Sequence, residues 1–213
     1  MKKIFSICVI SVFILFSCLS AQVKNDGWIS LFDGKSLNGW KVGSNSGTFK
    51  VENGAIVVNG PVAHLFYEGE VKNHTFKNFE FKAQVMTTPG SNSGIYFHTA
   101  FQEEGWPAKG YEVQVNNSHT DWRRTGSLYA VQDVKEVIVQ DNEWYTEHII
   151  VKDKKVIIKI NDKVVVEYTE PYDRSLPEAT SGRKIGTGTF ALQGHDPKSK
   201  VYFKDIMVKT LAD

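Results

Sequence analysis

The chain has 213 residues, a formal net charge of +1 and 12% aromatic residues. So even a balance gives no basic footprint for nucleic acid and no steering toward acidic membranes. Its 2 cysteines, Cys8 and Cys18, both lie near the start, so residues 22–213 are expected to fold without a disulfide.

Lys2 and Lys3 precede an apolar run from Ile4 to Phe16, too short to span a bilayer comfortably, and Ser20-Ala21 puts small residues before Gln22. The pattern predicts a secretory signal over residues 1–21 and an exported, periplasmic product. The alternative is a lipoprotein signal: Leu15-Phe16-Ser17-Cys18 roughly fits a lipobox, with Phe16 an awkward member, and Cys18 would then carry a lipid anchor at the bacterial outer membrane. No later stretch is long and apolar enough for a transmembrane helix. Residues 22–213 read as one domain, with no linker, low-complexity tract or fixed-period repeat.

Strand patterns dominate that domain. Trp28 to Phe32 stops at Asp33-Gly34, Thr48 to Glu52 runs into the hairpin signal Asn53-Gly54, and Ala55 to Val58 ends at Asn59-Gly60. Phe79 to Val85 alternates apolar and polar residues, Ser93 to His98 follows a Pro89-Gly90 turn, and Tyr111 to Val115 and Ser127 to Val131 come next. Trp144 to Val151, Lys155 to Ile160 and Lys163 to Tyr168 form a meander; Thr187 to Gln193 and Val201 to Lys209 close the chain. Residues 101–109, 116–125 and 171–184 read as loops. So many short strands with turn signals between them predict an all-β, two-sheet antiparallel sandwich of jelly-roll type.

Period-two counting sorts the polar residues by face. Glu112 and Gln114 share one face of their strand, opposite Tyr111, Val113 and Val115. Tyr96 and His98 are expected to share a face, Tyr129 to oppose Leu128 and Ala130, and Gln193 to lie with His195. If these strands are neighbours, their polar sides build a groove floor that hydrogen-bonds sugar hydroxyls and moves protons. Trp122 and Trp106 in the flanking loops are candidates to stack on a sugar ring, and Arg123 and Arg124 to donate to its hydroxyls. The ordinary roles of such residues are solvated strand faces, surface histidines and loop-packing tryptophans. No cysteine pair, His-Glu-x-x-His run or calcium loop organises a metal site, so no metal or cofactor is expected; calcium has no motif behind it.

The chain also resembles a known family. Trp28-Ile29-Ser30-Leu31-Phe32-Asp33-Gly34-Lys35-Ser36-Leu37-Asn38-Gly39-Trp40 looks like the opening signature of the 3-keto-disaccharide hydrolase domain. Asn92 to Phe97, Gly110 to Val115, Thr125 to Tyr129, Leu192 to His195 and Val201 to Ile206 follow in that family's order. The resemblance implies a concanavalin A-like sandwich with a concave ligand face and the hydrolysis of glycosides oxidised to a ketone at C3. Two departures stand out: His98 where many members carry Arg, and Asn116-Asn117 where an Asp is frequent.

Laminarinase-like glycosidases of this fold use a Glu-x-Asp-x-x-Glu strand, whereas the frame here reads Glu112, Gln114, Asn117. The strand therefore lacks the second carboxylate that an ordinary glycosidase needs. A 3-keto sugar asks instead for a base at C2, donors at the developing enolate and an acid at the leaving oxygen. The expected catalytic groups are Glu112, His195 and His98. Gln114, Gln193, Tyr96, Tyr129, Trp122 and Arg123 are the expected substrate contacts, with Tyr129 a further source of the leaving-group proton. The expected partner is an oligosaccharide or glycoside substrate; the competing reading is a non-catalytic, lectin-like module.

Overall fold

The computed structural model describes residues 26–173 and 181–213; the predicted signal segment, Cys18 included, lies outside them. Among the described residues thirteen strands follow one another: β1 (Ile29–Ser30), β2 (Trp40–Val42), β3 (Phe49–Glu52), β4 (Ala55–Val58), β5 (Ala63–Tyr67), β6 (Phe79–Thr87), β7 (Ser93–Thr99), β8 (Tyr111–Val115), β9 (Tyr145–Lys152), β10 (Lys155–Ile160), β11 (Lys163–Thr169), β12 (Thr189–Gly194) and β13 (Val201–Thr210). They build two antiparallel sheets, the predicted sandwich. One runs β11-β10-β9-β6-β13-β4-β3, with β1 added on β13; the other runs β2-β5-β12-β7-β8. Among the described residues, no helix is long and apolar enough to cross a membrane.

Turn chemistry fixes the hairpins. Asn53 and Gly54 both take positive φ (50° and 80°), as a tight turn between β3 and β4 requires, and Asn161 and Asp162 do the same between β10 and β11. The core lies where alternate residues of the two sheets meet. Phe190 of β12 sits 4.6 Å from Phe81 of β6, 4.9 Å from Phe79 and 4.7 Å from Phe76, centroid to centroid. Truncating such a ring to alanine costs about 3–5 kcal/mol.

Three sequence expectations need correction. Residues 127–131 form no regular strand: Leu128 makes isolated bridges to Val113 and Gln132, and Ala130 turns the chain at φ 57°. Tyr129 is therefore placed by a turn and not by strand alternation. Strands β2 and β5 were not anticipated, because three residues carry too little pattern and Ala63-His64-Leu65-Phe66-Tyr67 is apolar enough to hide its period. Finally, Tyr96 and His98 do not share a face. His98 takes φ 55°, and the β7–β12 register shifts between Thr189 and Phe190, so the alternation breaks before it reaches His98.

Candidate active site

The outward face of the five-stranded sheet carries the site. On β7, Ile95 and Phe97 point into the core while Gly94 and Tyr96 point out; on β8 the outward pair is Glu112 and Gln114, and on β12 it includes Gln193. Register brings these together: Tyr96 lies opposite Glu112, Gly94 opposite Gln114, and Gln193 opposite His64 of β5. They floor a cavity of about 190 Å3. Its walls come from loops that carry Trp106 and Pro107, Asp121, Tyr129, Arg183 and His195.

Glu112 is held at both carboxyl oxygens. The Tyr96 hydroxyl donates to Oε2 at 2.8 Å, and Gln193 Nε2 donates to Oε1 at 2.7 Å. Burial pushes the Glu112 carboxyl above the usual carboxylate range; the Tyr96 and Gln193 hydrogen bonds and the Arg183 charge pull the other way. Burial, together with the Glu112 charge, also lifts the Tyr96 phenol well above its ordinary value, so Tyr96 stays a donor. Gly94 makes room for this arrangement. A Cβ there would lie 2.9 Å from Glu112 Cγ and 3.0 Å from its Cδ, closer than real side chains approach.

Two buried acceptors on residues that line the cavity lack a partner within the protein. Gln193 uses its amide nitrogen on Glu112, and Gln114 uses its own on Asn92 Oδ1 at 2.8 Å, yet Oε1 of each accepts nothing within the protein. Both residues are at most 2% exposed. A buried acceptor left bare costs about 1–3 kcal/mol. His64, behind Tyr96 and Trp106, likewise leaves Nε2 unpartnered, and burial lowers its imidazole to about 4.

His195 stands at one end of the cavity. Its Nδ1 meets Asp196 Oδ2 at 2.8 Å. Asp196 is anchored in turn by Ser199 Oγ (2.7 Å) and by the backbone N–H groups of Lys198 and Ser199. Partial burial would raise the Asp196 carboxyl, but the hydrogen bonds from His195, Ser199 and Lys198 outweigh it and hold the group at about 2. An acceptor-only carboxylate fixes a proton on Nδ1, which leaves Nε2 as the ring position that can give or take a proton. His119 lies beside it, ring centroids 5.4 Å apart, and its Nδ1 accepts the Asp121 backbone N–H at 3.1 Å. Among the described residues, His119, His195 and Asp196 offer ligand atoms within 4.8 Å of one another.

The structure thus gathers Glu112, Gln114, Tyr96, Tyr129, Gln193 and His195 around one cavity. It does not bring Trp122 and Arg123 to the lining. Arg123 stacks behind Tyr129 and on Trp122, 4.7 Å from each ring centroid, and pairs with Asp133 at 3.3 Å. His98 is likewise elsewhere. Its Nε2 donates to the Lys77 carbonyl at 2.9 Å, its Nδ1 accepts the Gly186 N–H at 3.2 Å, and burial lowers it to about 4. Its position is that of a neutral bridge that ties down the loop after Arg183. Sequence reasoning missed His64, Asn92, Asp121 and Arg183. A strand reading of residues 63–67 would have found His64, but the loop residues carry no periodic signal.

The sequence profile of the 3-keto-alpha-glucoside-1,2-lyase-like domain matches residues 27–209. A curated relative from Bacteroides thetaiotaomicron, named 3-keto-disaccharide hydrolase, is 30% identical over 177 residues, 70% of this chain. The matched chain spans only 61% of that relative's length. A crystal structure of a Parabacteroides distasonis protein, named as a candidate glycosyl hydrolase, superposes with TM-score 0.75 at 26% identity and covers 91% of this chain and 98% of its own. The carbohydrate-binding module CBM66 of Bacillus subtilis shares the fold at TM-score 0.56 and 10% identity, covering 81% of this chain and 96% of its own.

Proposed function

The chain belongs to the 3-keto-alpha-glucoside-1,2-lyase-like domain family, and from that premise we propose an exported hydrolase that cleaves 3-keto-glycosides by elimination and hydration. The observation that carries the proposal is the Glu112 carboxyl, held at both oxygens by Tyr96 and Gln193, on a ring-sized cavity that Gln114, Arg183 and His195 also line. Gln114 and Gln193 contact the sugar; the carboxylate, made more basic by burial, takes a proton. In the first step Glu112 removes the C2 proton and the electron pair passes to the C3 oxygen, where the Arg183 guanidinium supplies positive charge. The enolate then re-forms the ketone, the C1–O bond breaks, and protonated His195, steadied by Asp196, gives its proton to the departing oxygen. Water adds to C1 of the enone and loses a proton to His195, while Glu112 returns its proton to C2. The balance is glycoside plus water to 3-keto sugar plus alcohol.

We read His119, His195 and Asp196 as hydrogen-bonding groups and not as a cation site. Both Asp196 oxygens are already engaged, and the Nδ1 lone pair of His119 is occupied by Asp121 N–H.

One observation favours a second reading. Asp121 lines the cavity, so a second carboxylate is present after all, supplied by a loop where the β8 strand lacks it. Two carboxylates across a glycosidic bond suit direct hydrolysis. Against this, Asp121 accepts the Arg123 backbone N–H at 3.0 Å and lies 3.5 Å from its guanidinium. Substrate separates the two. Incubation in deuterated water with a 3-keto-glucoside is expected to release the alcohol and leave deuterium at C2, with no release from the unoxidised glucoside. Cleavage of the unoxidised glucoside without C2 exchange would replace the elimination with direct hydrolysis.

A further inference from the structure

The outer face of the eight-stranded sheet, on the other layer from the cavity, carries a different chemistry. Alternation in β6, β9, β10 and β13 turns one set of side chains into the core and the other toward solvent. The solvent set is rich in lysine and apolar groups. Register lines up Met207, Lys82, His148 and Lys159 across four strands, and pairs Ile150 with Ile157 in the neighbouring row. Three aromatic rings stand among them, each beside a lysine ammonium. Lys82 Nζ lies 4.6 Å from the Trp28 ring centroid, Lys204 Nζ 4.1 Å from that of Trp144 and Lys200 Nζ 5.3 Å from that of Tyr202. Trp144 is 38% exposed. The near-neutral balance of the chain hides a local excess of positive charge on this face. Asp153 and Glu167 match Lys152 and Lys155 at 3.9 and 2.5 Å. Lys82, Lys159, Lys204 and Lys209 remain, against Glu80 and the bulge residue Asp205. Glu80 is itself engaged by His148 Nε2 at 2.9 Å.

We propose that this face docks on an anionic lipid surface. The lysines complement the charge of phosphate headgroups, and their stems lie along apolar neighbours while the ammonium groups stay in water. Trp and Tyr are the rings that favour the boundary between headgroups and acyl chains. Extent favours a surface over a single polyanionic chain. From β13 to β10 the sheet covers three strand spacings, and from Ile150 to Trp144 six residues, a patch of about 14 Å by 20 Å. Its rings and lysines are spread over both dimensions and not set in a line. The entry of the chain points the same way. Trp28 follows Asp26, the first described residue, by two positions, so the fold begins on this face. Cys18, the anchor of the lipoprotein reading, stands ten residues ahead of Trp28, a reach of at most about 35 Å. Docked this way, the molecule holds the Glu112 cavity, on the outward face of the other sheet, away from the lipid.

Co-sedimentation with vesicles tests the face. Residues 22–213 contain both sheets and no cysteine, so they respond through the sheet without any anchor. They are expected to sediment with vesicles of phosphatidylcholine mixed with phosphatidylglycerol, to stay in solution with phosphatidylcholine alone, and to be released by high salt. Each lysine near an anionic surface changes partitioning about fivefold, so Lys159→Ala combined with Lys204→Ala is expected to weaken it about 25-fold. Trp144→Ala is expected to weaken it severalfold, with the melting temperature unchanged. Lys135→Ala, at an exposed position beside Trp122, is expected to leave it as in the wild type. Equal partitioning to both kinds of vesicle, or none to either, overturns the proposal. A loss in Lys135→Ala as large as in Lys159→Ala also overturns it, because the attraction would then belong to the whole molecule and not to this face. Tighter retention by polygalacturonate than by the anionic vesicles overturns it too, and makes an acidic polysaccharide the occupant.

Discussion

Glu112 sits on the outward face of the five-stranded sheet, and Glu147 sits on the inward face of the eight-stranded one, between Ala83 and Ile160 in register. Burial raises both carboxyls. Everything else about them differs. Glu112 has a phenol, an amide and a nearby guanidinium, and it opens on a cavity. Glu147 has neither oxygen partnered and no exposure at all. A raised carboxyl is therefore not by itself a sign of chemistry; access and fixed donors turn desolvation into a usable base, and without them it is only a cost to folding.

Substitution tests that contrast most sharply at the carboxyls themselves. Glu112→Gln is expected to lower kcat on a 3-keto-glucoside by about 10²- to 10⁴-fold, the usual worth of a general base, with the melting temperature kept. Glu147→Gln is expected to leave kcat within about twofold. A large loss of activity in Glu147→Gln, at unchanged stability, would break the comparison.

Gly94→Ala asks whether Glu112 must also be placed. The added Cβ falls within 3.0 Å of the carboxyl carbon, so the side chain has to shift. Displacement of a reacting group by about 1 Å costs roughly 10²-fold, and that is the expected fall in kcat, with KM less affected. An unchanged kcat would show that the carboxyl position is not critical.

Much of this contrast was legible in the chain. Alternation in Tyr111 to Val115 put Glu112 and Gln114 on the outward face, and the spacing of short strands gave the sandwich. Alternation failed at His98, where a positive φ and a bulge, invisible to periodicity, turned the residue away from the cavity. Arg183, Asn92 and Asp121 reach the site through loop geometry set by distant contacts: Glu170 Oε2 accepts the Ile185 N–H at 2.9 Å, and His98 holds Gly186. Such contacts leave no local signal. Glu147 was hidden for the opposite reason: in Trp144 to Val151 it occupies an inward position where a charged residue is not expected.

On the stability side, Glu147→Met is expected to stabilise the fold by about 1–3 kcal/mol at neutral pH by removing a buried, unpartnered acid. The sign with pH follows from the direction of the shift. The folded protein holds the Glu147 proton to higher pH than the unfolded chain does, so the wild type is favoured below the unfolded carboxylate range and loses stability as pH rises above it. Urea unfolding at pH 5 and pH 8 should show a smaller alkaline loss in Glu147→Met than in the wild type. Parallel pH profiles would mean that Glu147 does not carry a proton inside the fold.

The smallest effects belong to the outer wall, which neither faces the core nor lines the cavity. Trp122 is 46% exposed and is linked to the site through Arg123, whose guanidinium lies against Tyr129. A cation–π contact at such exposure is worth about 0.5–1 kcal/mol. Arg123→Lys is therefore expected to raise KM two- to fivefold by loosening Tyr129, and Trp122→Ala by less, with kcat unchanged in both. The order matters more than the size. If Trp122→Ala raised KM more than Tyr129→Phe did, the indole would be a sugar platform in its own right, and the boundary of the site would move outward past Arg123.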